Sequence, residues 1–205
     1  MKNKIKRSLR VSRYVLYKET LVDTKEHFWS FIGAFFGIGC IAFLQSLHFS
    51  EIENIFLVGS FGASCVLVYG AIQSPLAQPR NLVGGHVLSA FIGVTVAKFS
   101  PDIIWIKAPL AVALSIVFMQ ISKTLHPPGG ATALIAIIGT EKVKSLGYWY
   151  VINPILSGAL ILLIIALIFN NITKKRKYPT DRNFTKSVQK IFFLKRKKRN
   201  KRKTI

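Results

Sequence analysis

The sequence predicts an all-α fold, a polytopic transmembrane helix bundle, because it is rich in apolar residues and its charges are confined to its ends. Apolar residues make up 51% of the 205 residues, yet the formal net charge is +21. Residues 28–173 carry six basic and four acidic side chains, whereas residues 1–27 carry eight and three, and residues 174–205 carry fifteen and one. A soluble domain needs many more charges to keep its surface hydrated. The middle of the chain is therefore predicted to be a membrane domain.

Six apolar segments follow one another through this middle region, each bounded by charged or proline-bearing stretches. About 20 apolar residues are needed to cross the hydrocarbon core of a bilayer. The predicted segments are Phe28–Leu47, Ile55–Ile72, Leu82–Phe99, Ile103–Ser122, Gly129–Gly139 and Tyr148–Ile172. The fifth segment is short. An arrangement with four full crossings is therefore also allowed, if the second and fifth segments enter the membrane and return.

The charge pattern predicts the orientation of the chain. Basic flanks of membrane proteins normally face the cytoplasm. Both termini are strongly basic, so both are expected to be cytoplasmic, which requires an even number of crossings. With six crossings, Arg80 and Lys123 fall on cytoplasmic loops, and Glu51 and Glu53 fall on an outside loop.

The two basic ends are predicted to lie on the membrane surface. Residues 1–27 have the spacing of a basic amphipathic helix on the cytoplasmic leaflet, and residues 174–205 form a basic, partly disordered cytoplasmic tail. Each Lys or Arg near an anionic surface contributes about 1 kcal/mol to binding. Anionic lipid headgroups are the expected partner. No specific nucleic-acid partner is expected, because no stacking aromatic residues alternate with the charges.

A short sequence echo suggests two related halves. Gly62-Ala63-Ser64 and Gly130-Ala131-Thr132 align at an offset of 68 residues, each in the second segment of a three-segment half. Three crossings per half would give the halves opposite orientations. Inverted repeats with interrupted helices are a recurrent plan among transporters. Chance recurrence of small residues at helix contacts is the alternative interpretation.

The stretch from His126 to Thr132 has the composition of a helix start beside a ligand. Pro127 and Pro128 suit the first turn of a helix, and the two following glycines allow close approach of a backbone or ligand. Thr132 adds a hydroxyl near the helix start. A helix N-terminus favours an anion. A simple helix-initiating turn, with His126 as its cap, is the alternative.

The stretch from Ser74 to His86 has a similar pattern, with Pro75 and Pro79 interrupting the chain and Gln78 and Arg80 supplying polar groups. Arg80 beside a span usually reaches out to the interface. His86 lies within an apolar run, where its imidazole would donate to an anion or titrate as a proton-coupling group. The four-residue spacing of small residues downstream predicts close helix packing. Those small residues are Gly85, Ser89 and Gly93.

Three blocks of the chain resemble the HPP family of integral membrane proteins, which is named after its His-Pro-Pro motif. The blocks are Gly59–Ser64, Ser74–Asn81 and His126–Thr132, and the resemblance covers about residues 25–172. Members of that family are bacterial or chloroplast proteins, and some are linked to nitrite transport. The resemblance therefore implies a transporter or channel for a small monovalent anion, with nitrite as the leading candidate. It also implies a bacterial plasma (inner) membrane as the location. Some relatives carry a further soluble regulatory domain, for which residues 174–205 are too short and too basic.

The anion is expected to be held at helix N-termini near the midplane of the membrane. A membrane enzyme is disfavoured, since the segments contain no carboxylate pair and no histidines at metal-binding spacing. A non-transporting scaffold that binds lipid or a partner is the main alternative. No cofactor or metal is expected, and a homo-oligomer would enclose a site more easily. The expected binding residues are Gly62, Ala63, Ser64, Gln78, Arg80, His86, His126, Gly129, Gly130 and Thr132, with Pro75, Pro79, Pro127 and Pro128 shaping the breaks.

Overall fold

The structure is a computed structural model that describes residues 24–173 and 176–180, and these residues contain helices but no strands. The predicted all-α class is confirmed. Most of the N-terminal segment predicted to be amphipathic, and most of the predicted tail, lie outside the described residues. The helices are α1 Thr24–Ser46, α2 Glu51–Cys65, α3 Pro79–Phe99, α4 Ile104–Ile121, α5 Pro127–Ile138, α6 Glu141–Ser145 and α7 Ser157–Phe169. Wider π-type turns at Val66–Gly70 and Val151–Leu156 extend α2 and precede α7, and a 3-10 turn spans Pro75–Ala77.

Four of the helical stretches are long and apolar enough to cross a membrane, and two more are apolar but shorter. Their surfaces are apolar where they face outward; Phe31, for example, is 65% exposed and Trp105 is 78% exposed. Large apolar side chains on the outside of a bundle indicate a lipid-facing surface. The four long stretches are Thr24–Ser46, Pro79–Phe99, Ile104–Ile121 and Val151–Phe169, and the shorter ones are Leu57–Gly70 and Pro127–Ile138.

One end of the bundle, which we call the tail end, gathers the first and last described residues. Arg176 is 3% exposed and donates to the Glu26 carboxylate at 3.2 Å and to the Tyr69 carbonyl at 2.8 Å. Tyr178 is buried and donates to the Ala77 carbonyl at 2.7 Å. The packed bundle therefore extends beyond residue 173, where the tail was predicted to begin. Because the first and last described residues lie at the same end of the bundle, the chain between residues 24 and 180 makes an even number of crossings. That this end faces the cytoplasm stays a prediction.

The opposite end, which we call the loop end, joins the second and fifth segments. Glu53, in the first turn of α2, accepts a hydrogen bond from Thr140 at 3.2 Å and pairs with Lys142 at 3.4 Å. Thr140 lies two residues after the end of α5. The start of α5 lies at the tail end, since His126 donates to the Leu76 carbonyl at 2.9 Å. Both segments thus run from one end of the bundle to the other, which favours six segments of alternating direction over re-entrant ones.

Helix α2 begins four residues earlier than the sequence predicted. Glu51 and Glu53 are expected in a loop, but they form the first turn of the helix. The backbone N–H of Ser50 donates to the Glu53 carboxylate at 2.8 Å. Acidic residues in a first turn are favourable because they compensate the positive end of the helix dipole.

The predicted last segment is interrupted. Asn153 has non-helical backbone angles (φ −133°, ψ 117°), and α7 starts only at Ser157. Pro154 explains the break, since proline has no N–H to donate and pushes the preceding residue toward an extended conformation. The short helix α6 was also not predicted. Its N-cap is Thr140, whose hydroxyl accepts from the Val143 N–H at 3.4 Å.

Helix α3 packs closely against α5 through the predicted small residues. A Cβ atom built on Gly93 would lie 2.6 Å from the Ala133 carbonyl oxygen, and one built on Gly85 would lie 2.4 Å from His126 Cβ. Real Cβ atoms do not approach other atoms so closely, so these two positions require glycine. The close approach sets the distance between α3 and the residues that precede α5.

Candidate functional site

Four of the side chains predicted to bind the anion meet inside the bundle. Ser64 from α2, His86 from α3, and His126 and Thr132 from the α5 region are each fully buried. Ser64 Oγ lies 2.7 Å from His86 Nε2 and 2.9 Å from His126 Nε2. His86 Nδ1 lies 2.7 Å from Thr132 Oγ1. We call these four residues the histidine cluster.

The geometry of the histidine cluster fixes where its hydrogens lie when both imidazoles are neutral. The Leu76 carbonyl can only accept, so His126 Nδ1 carries a hydrogen and His126 Nε2 has a lone pair. Ser64 must then donate to His126, which requires His86 Nε2 to donate to Ser64. His86 Nδ1 is left as an acceptor for the Thr132 hydroxyl. The hydrogen bonds therefore form one directed chain from Thr132 to Leu76.

The histidine cluster lies on the tail-end side of the middle of the bundle. Ser64, His86 and Thr132 are five to seven residues from the tail-end termini of their helical segments. At 1.5 Å per residue this is a depth of about 8–10 Å. The sequence predicted a site near the midplane. The cluster lies toward the tail end because the two breaks that contribute to it are both at that end. A site near the midplane of the membrane stays a prediction.

The sequence echo has a structural counterpart. Ser64 and Thr132, which occupy equivalent positions in the echo, contact opposite nitrogens of the same His86 ring. Their preceding residues, Ala63 and Ala131, are both exposed. Equivalent residues thus have equivalent surroundings, and the hydroxyl group is the part of each motif that reaches the cluster.

The predicted glycines and Ala63 do not join the histidine cluster. Gly62 is half-buried, and a Cβ atom added there would have no neighbouring atom within 4 Å; Gly130 is similarly open, with Val112 at 3.8 Å. Gly129 is buried, and a Cβ there would lie 2.7 Å from Ser89 Oγ. Gly129 is therefore a packing position between α5 and α3, so its missing side chain admits a helix rather than a ligand.

Gln78 and Arg80 stabilise the first break instead of reaching the cluster. The Gln78 amide donates to the Ser74 carbonyl at 2.8 Å and to the Ile72 carbonyl at 3.1 Å. Arg80 is exposed and donates to the Ser122 carbonyl at 2.7 Å, which links the first break to the second. These contacts hold Leu76 where its carbonyl meets His126.

The four prolines occupy the positions that the sequence predicted. Pro75 opens the 3-10 turn, Pro79 is the first residue of α3, and Pro127 and Pro128 are the first two residues of α5. The missing N–H of proline costs nothing in the first turn of a helix. The prolines therefore define where each interrupted helix restarts.

A cavity of about 270 Å³ lies at the loop end, and most of its polar lining is charged. Lys107 pairs with Asp102 at 2.9 Å, and Lys144 pairs with Glu141 at 3.0 Å. The ammonium group of Lys98 lies over the Tyr148 ring, 5.2 Å from its centre. The hydrogen bond from Lys107 holds the pKa of the Asp102 carboxyl below its ordinary value. The charged residues that line this space, which we call the basic cavity, are Lys98, Lys107, Lys144, Asp102 and Glu141, so its net charge is +1.

Tyr150 connects the basic cavity to the histidine cluster. Its side chain lines the cavity and is 1% exposed, and its hydroxyl donates to the Thr132 carbonyl at 3.0 Å. Sequence reasoning missed both Tyr150 and the basic cavity. The lysines lie on three different loops or helix ends, and no local pattern indicates that they meet.

Together, the bundle and its centre define a polytopic helical membrane protein with an uncharged imidazole–hydroxyl cluster on one side of a basic cavity. The chain belongs to the HPP family. The family description "HPP, transmembrane region" matches residues 19–179, a range that includes every residue of the histidine cluster.

Two related proteins of Dictyostelium discoideum are named only as transmembrane proteins. They are 48% and 43% identical to this chain over 160 residues, which is 77% of the chain in both cases. The aligned region is 51% of the first relative and 56% of the second, so the chain spans about half the length of the curated relatives it matches. No solved structure matches the chain.

Proposed function

We propose that this chain transports a small monovalent anion across a membrane, with nitrite as the leading candidate. The observation that carries the proposal is the buried, uncharged histidine cluster connected through Tyr150 to the basic cavity. The choice of nitrite rests on the resemblance to HPP proteins that are linked to nitrite transport. The bacterial plasma membrane is the proposed location.

The basic cavity would collect the anion. Its net positive charge raises the local concentration of anions. Lys98 has an aromatic ring rather than a carboxylate beside its ammonium group, so it is the lysine best placed to pair with an incoming anion. Two of the three lysines are already paired with carboxylates, which keeps binding weak and favours release.

The histidine cluster would then replace part of the anion's hydration shell. Burial of an anion is unfavourable unless donors compensate for the lost water. The cluster has hydroxyl and imidazole donors, and its hydroxyls have other acceptors nearby. Ser64 Oγ lies 3.2 Å from the Ser60 carbonyl, and Thr132 Oγ1 lies 3.4 Å from the Pro128 carbonyl. Each hydroxyl can therefore rotate without losing all partners, and an anion can take the place of an imidazole acceptor.

Uptake into proteoliposomes tests the proposal, with nitrite, nitrate, formate and chloride as substrates. Ser64→Ala, Thr132→Ala and His126→Ala each remove a donor or its partner, and uptake is expected to fall roughly tenfold or more. Gly130→Ala is the matched control, since its new methyl group has room and does not touch the cluster. Protein-free liposomes measure leakage of the protonated acid. If no protein-dependent flux of any of these anions is found, the proposal is wrong.

The scaffold alternative rests on the basic tail. Arg176 and Tyr178 are part of the packed bundle, so the deletion that tests the tail must begin after Thr180. If residues 181–205 are removed and anion uptake stays intact, the tail is an accessory that we propose binds anionic lipid. A full-length protein that binds anionic vesicles but carries no anion would favour the scaffold.

A further inference from the structure

We infer that the histidine cluster couples anion transport to the movement of one proton per anion. The inference rests on the proposed function and adds the driving ion to it. It is carried by the directed hydrogen-bond chain from Thr132 to Leu76 and by the uncharged surroundings of that chain.

The directed chain can take up one proton by reversing its hydrogen bonds. A proton that reaches Thr132 Oγ1 releases the hydrogen of that hydroxyl to His86 Nδ1. His86 passes its Nε2 hydrogen to Ser64 Oγ, and Ser64 passes its own hydrogen to His126 Nε2. Each transfer breaks one O–H or N–H bond and forms another, and the added charge ends on His126. The new hydrogen on Thr132 points to the Pro128 carbonyl, 3.4 Å away, so every group keeps a partner.

This series of proton transfers, which we call the relay, has a direction along the axis of the bundle. Thr132 lies within α5, and His126 is the N-cap of that helix at the tail end. When the chain reverses, the added charge passes from Thr132 through His86 to the His126 ring, whose centre lies 4.9 Å from that of His86. Tyr150 places the start of the relay next to the basic cavity, from which the anion would also arrive.

The surroundings of the relay favour a proton and an anion together over either one alone. Among the described residues, the groups that contact the cluster are backbone carbonyls, one aromatic ring and, through the Thr132 backbone, the hydroxyl of Tyr150. The carbonyls are those of Ser60, Leu76 and Pro128, and the ring is that of Phe61. From α4, Met119 lies beside the start of α5. None of these described groups is charged. A single buried charge is strongly unfavourable without a counterion. Protonated His126 supplies that counterion, so the cluster can hold one proton and one anion together without a net charge.

The hydrogen positions can be measured without any transport assay. His27 and His48 are exposed, so His27→Gln with His48→Gln leaves only the two histidines of the cluster. Nitrogen-15 NMR of histidine-labelled protein in lipid is expected to show opposite tautomers, one ring protonated at Nδ1 and the other at Nε2. If both rings have the same tautomer, the directed chain does not exist and the inference is overturned.

The coupling is tested in proteoliposomes with nitrite as the probe and the membrane potential clamped at zero. An inward proton gradient is expected to drive nitrite uptake, with one proton entering per nitrite and no net current. Nitrite flux that is independent of the proton gradient and carries current would overturn this inference and leave the proposed function intact. Absence of any protein-dependent flux would overturn both.

A pair of substitutions at Thr132 distinguishes loss of proton transfer from loss of folded protein. Thr132→Val keeps the shape of the side chain but removes the hydroxyl, whereas Thr132→Ser keeps the hydroxyl. The ratio of proton-driven uptake to anion exchange is the readout, because loss of folded protein lowers both rates equally. Thr132→Val is expected to reduce this ratio roughly tenfold or more, and Thr132→Ser is expected to restore it. An unchanged ratio in Thr132→Val would overturn the inference.

Discussion

Replacing Gly85 by alanine tests whether close helix packing positions the histidine cluster. The added Cβ would lie 2.4 Å from His126 Cβ and 2.9 Å from the Thr124 carbonyl oxygen. Ordinary contacts of this kind begin near 3.4 Å, so α3 and the break before α5 must separate by about 1 Å. Since α5 follows directly from this break, the same movement would stretch the hydrogen bond between His86 of α3 and Thr132 of α5 from 2.7 Å to about 3.7 Å, beyond the limit for such a bond.

The expected loss of stability follows from these distances. Overpacking of a well-packed site costs about 1–3 kcal/mol, and a lost buried hydrogen bond costs about 1 kcal/mol more. Replacing a helical glycine by alanine returns up to about 1 kcal/mol through helix propensity. Gly85→Ala is therefore expected to be destabilised by about 1–3 kcal/mol. Gly130→Ala should be as stable as the wild type or slightly more stable, since its new methyl group would lie 3.8 Å from Val112.

Thermal unfolding in detergent measures the difference. A thiol-reactive fluorophore reports unfolding, because Cys65 is buried and becomes reactive only when the bundle opens, while Cys40 supplies a partly accessible background. Gly85→Ala should unfold at least about 2 °C below the wild type and should also transport less. Close packing at Gly85 is refuted as the positioning device if Gly85→Ala is as stable as wild type, or if Gly130→Ala is equally destabilised.

Further predictions concern the two ends of the bundle. Arg176→Gln should destabilise the protein by about 2–4 kcal/mol in the same unfolding assay, since it leaves the partly buried Glu26 carboxylate without its cation. The exposed neighbour Lys177 is the control, and Lys177→Gln should have no effect. Lys98→Gln should weaken the apparent affinity for nitrite by roughly twofold at low salt, because it removes a positive charge from the basic cavity. Asp102→Asn should strengthen that affinity by roughly twofold, because it removes a negative charge. Both effects should disappear at high salt, and changes of the same sign would contradict an electrostatic origin.

Much of the candidate site was visible in the sequence because its residues follow local rules. The prolines at 75, 79, 127 and 128 predicted the two helix breaks, since proline cannot continue a hydrogen-bonded helix. The echo of Ser64 and Thr132 indicated two equivalent hydroxyls, and His86 was unusual as a titratable residue within an apolar run. Each of these signals depends on a few neighbouring residues, and the structure contains the breaks, the two hydroxyls and the buried imidazole that they indicated.

Other features depend on how the segments meet. Arg176 belongs to a run of four basic residues, and no pattern within that run indicates that it is the one buried beside Glu26. Tyr150 and Lys98 are far apart in the sequence and line the same cavity only because α3 and the segment before α7 reach the same end. Gly129 was expected to face a ligand, but its neighbour is Ser89 of α3.

The amino-acid sequence was enough to predict a helical membrane protein, the places where its helices break, and the hydroxyls and imidazoles available to a site. Composition and proline chemistry act locally, so they can be read along the chain. The packed bundle was needed to show that Ser64 and Thr132 contact the two nitrogens of one His86 ring, with His126 beyond Ser64. The spacing of small residues predicted that α3 packs closely, but only the tertiary structure showed that α5 is its partner. The tertiary structure also showed that α2 brings Ser64 between the two imidazoles, because contacts between distant segments are not encoded by neighbouring residues.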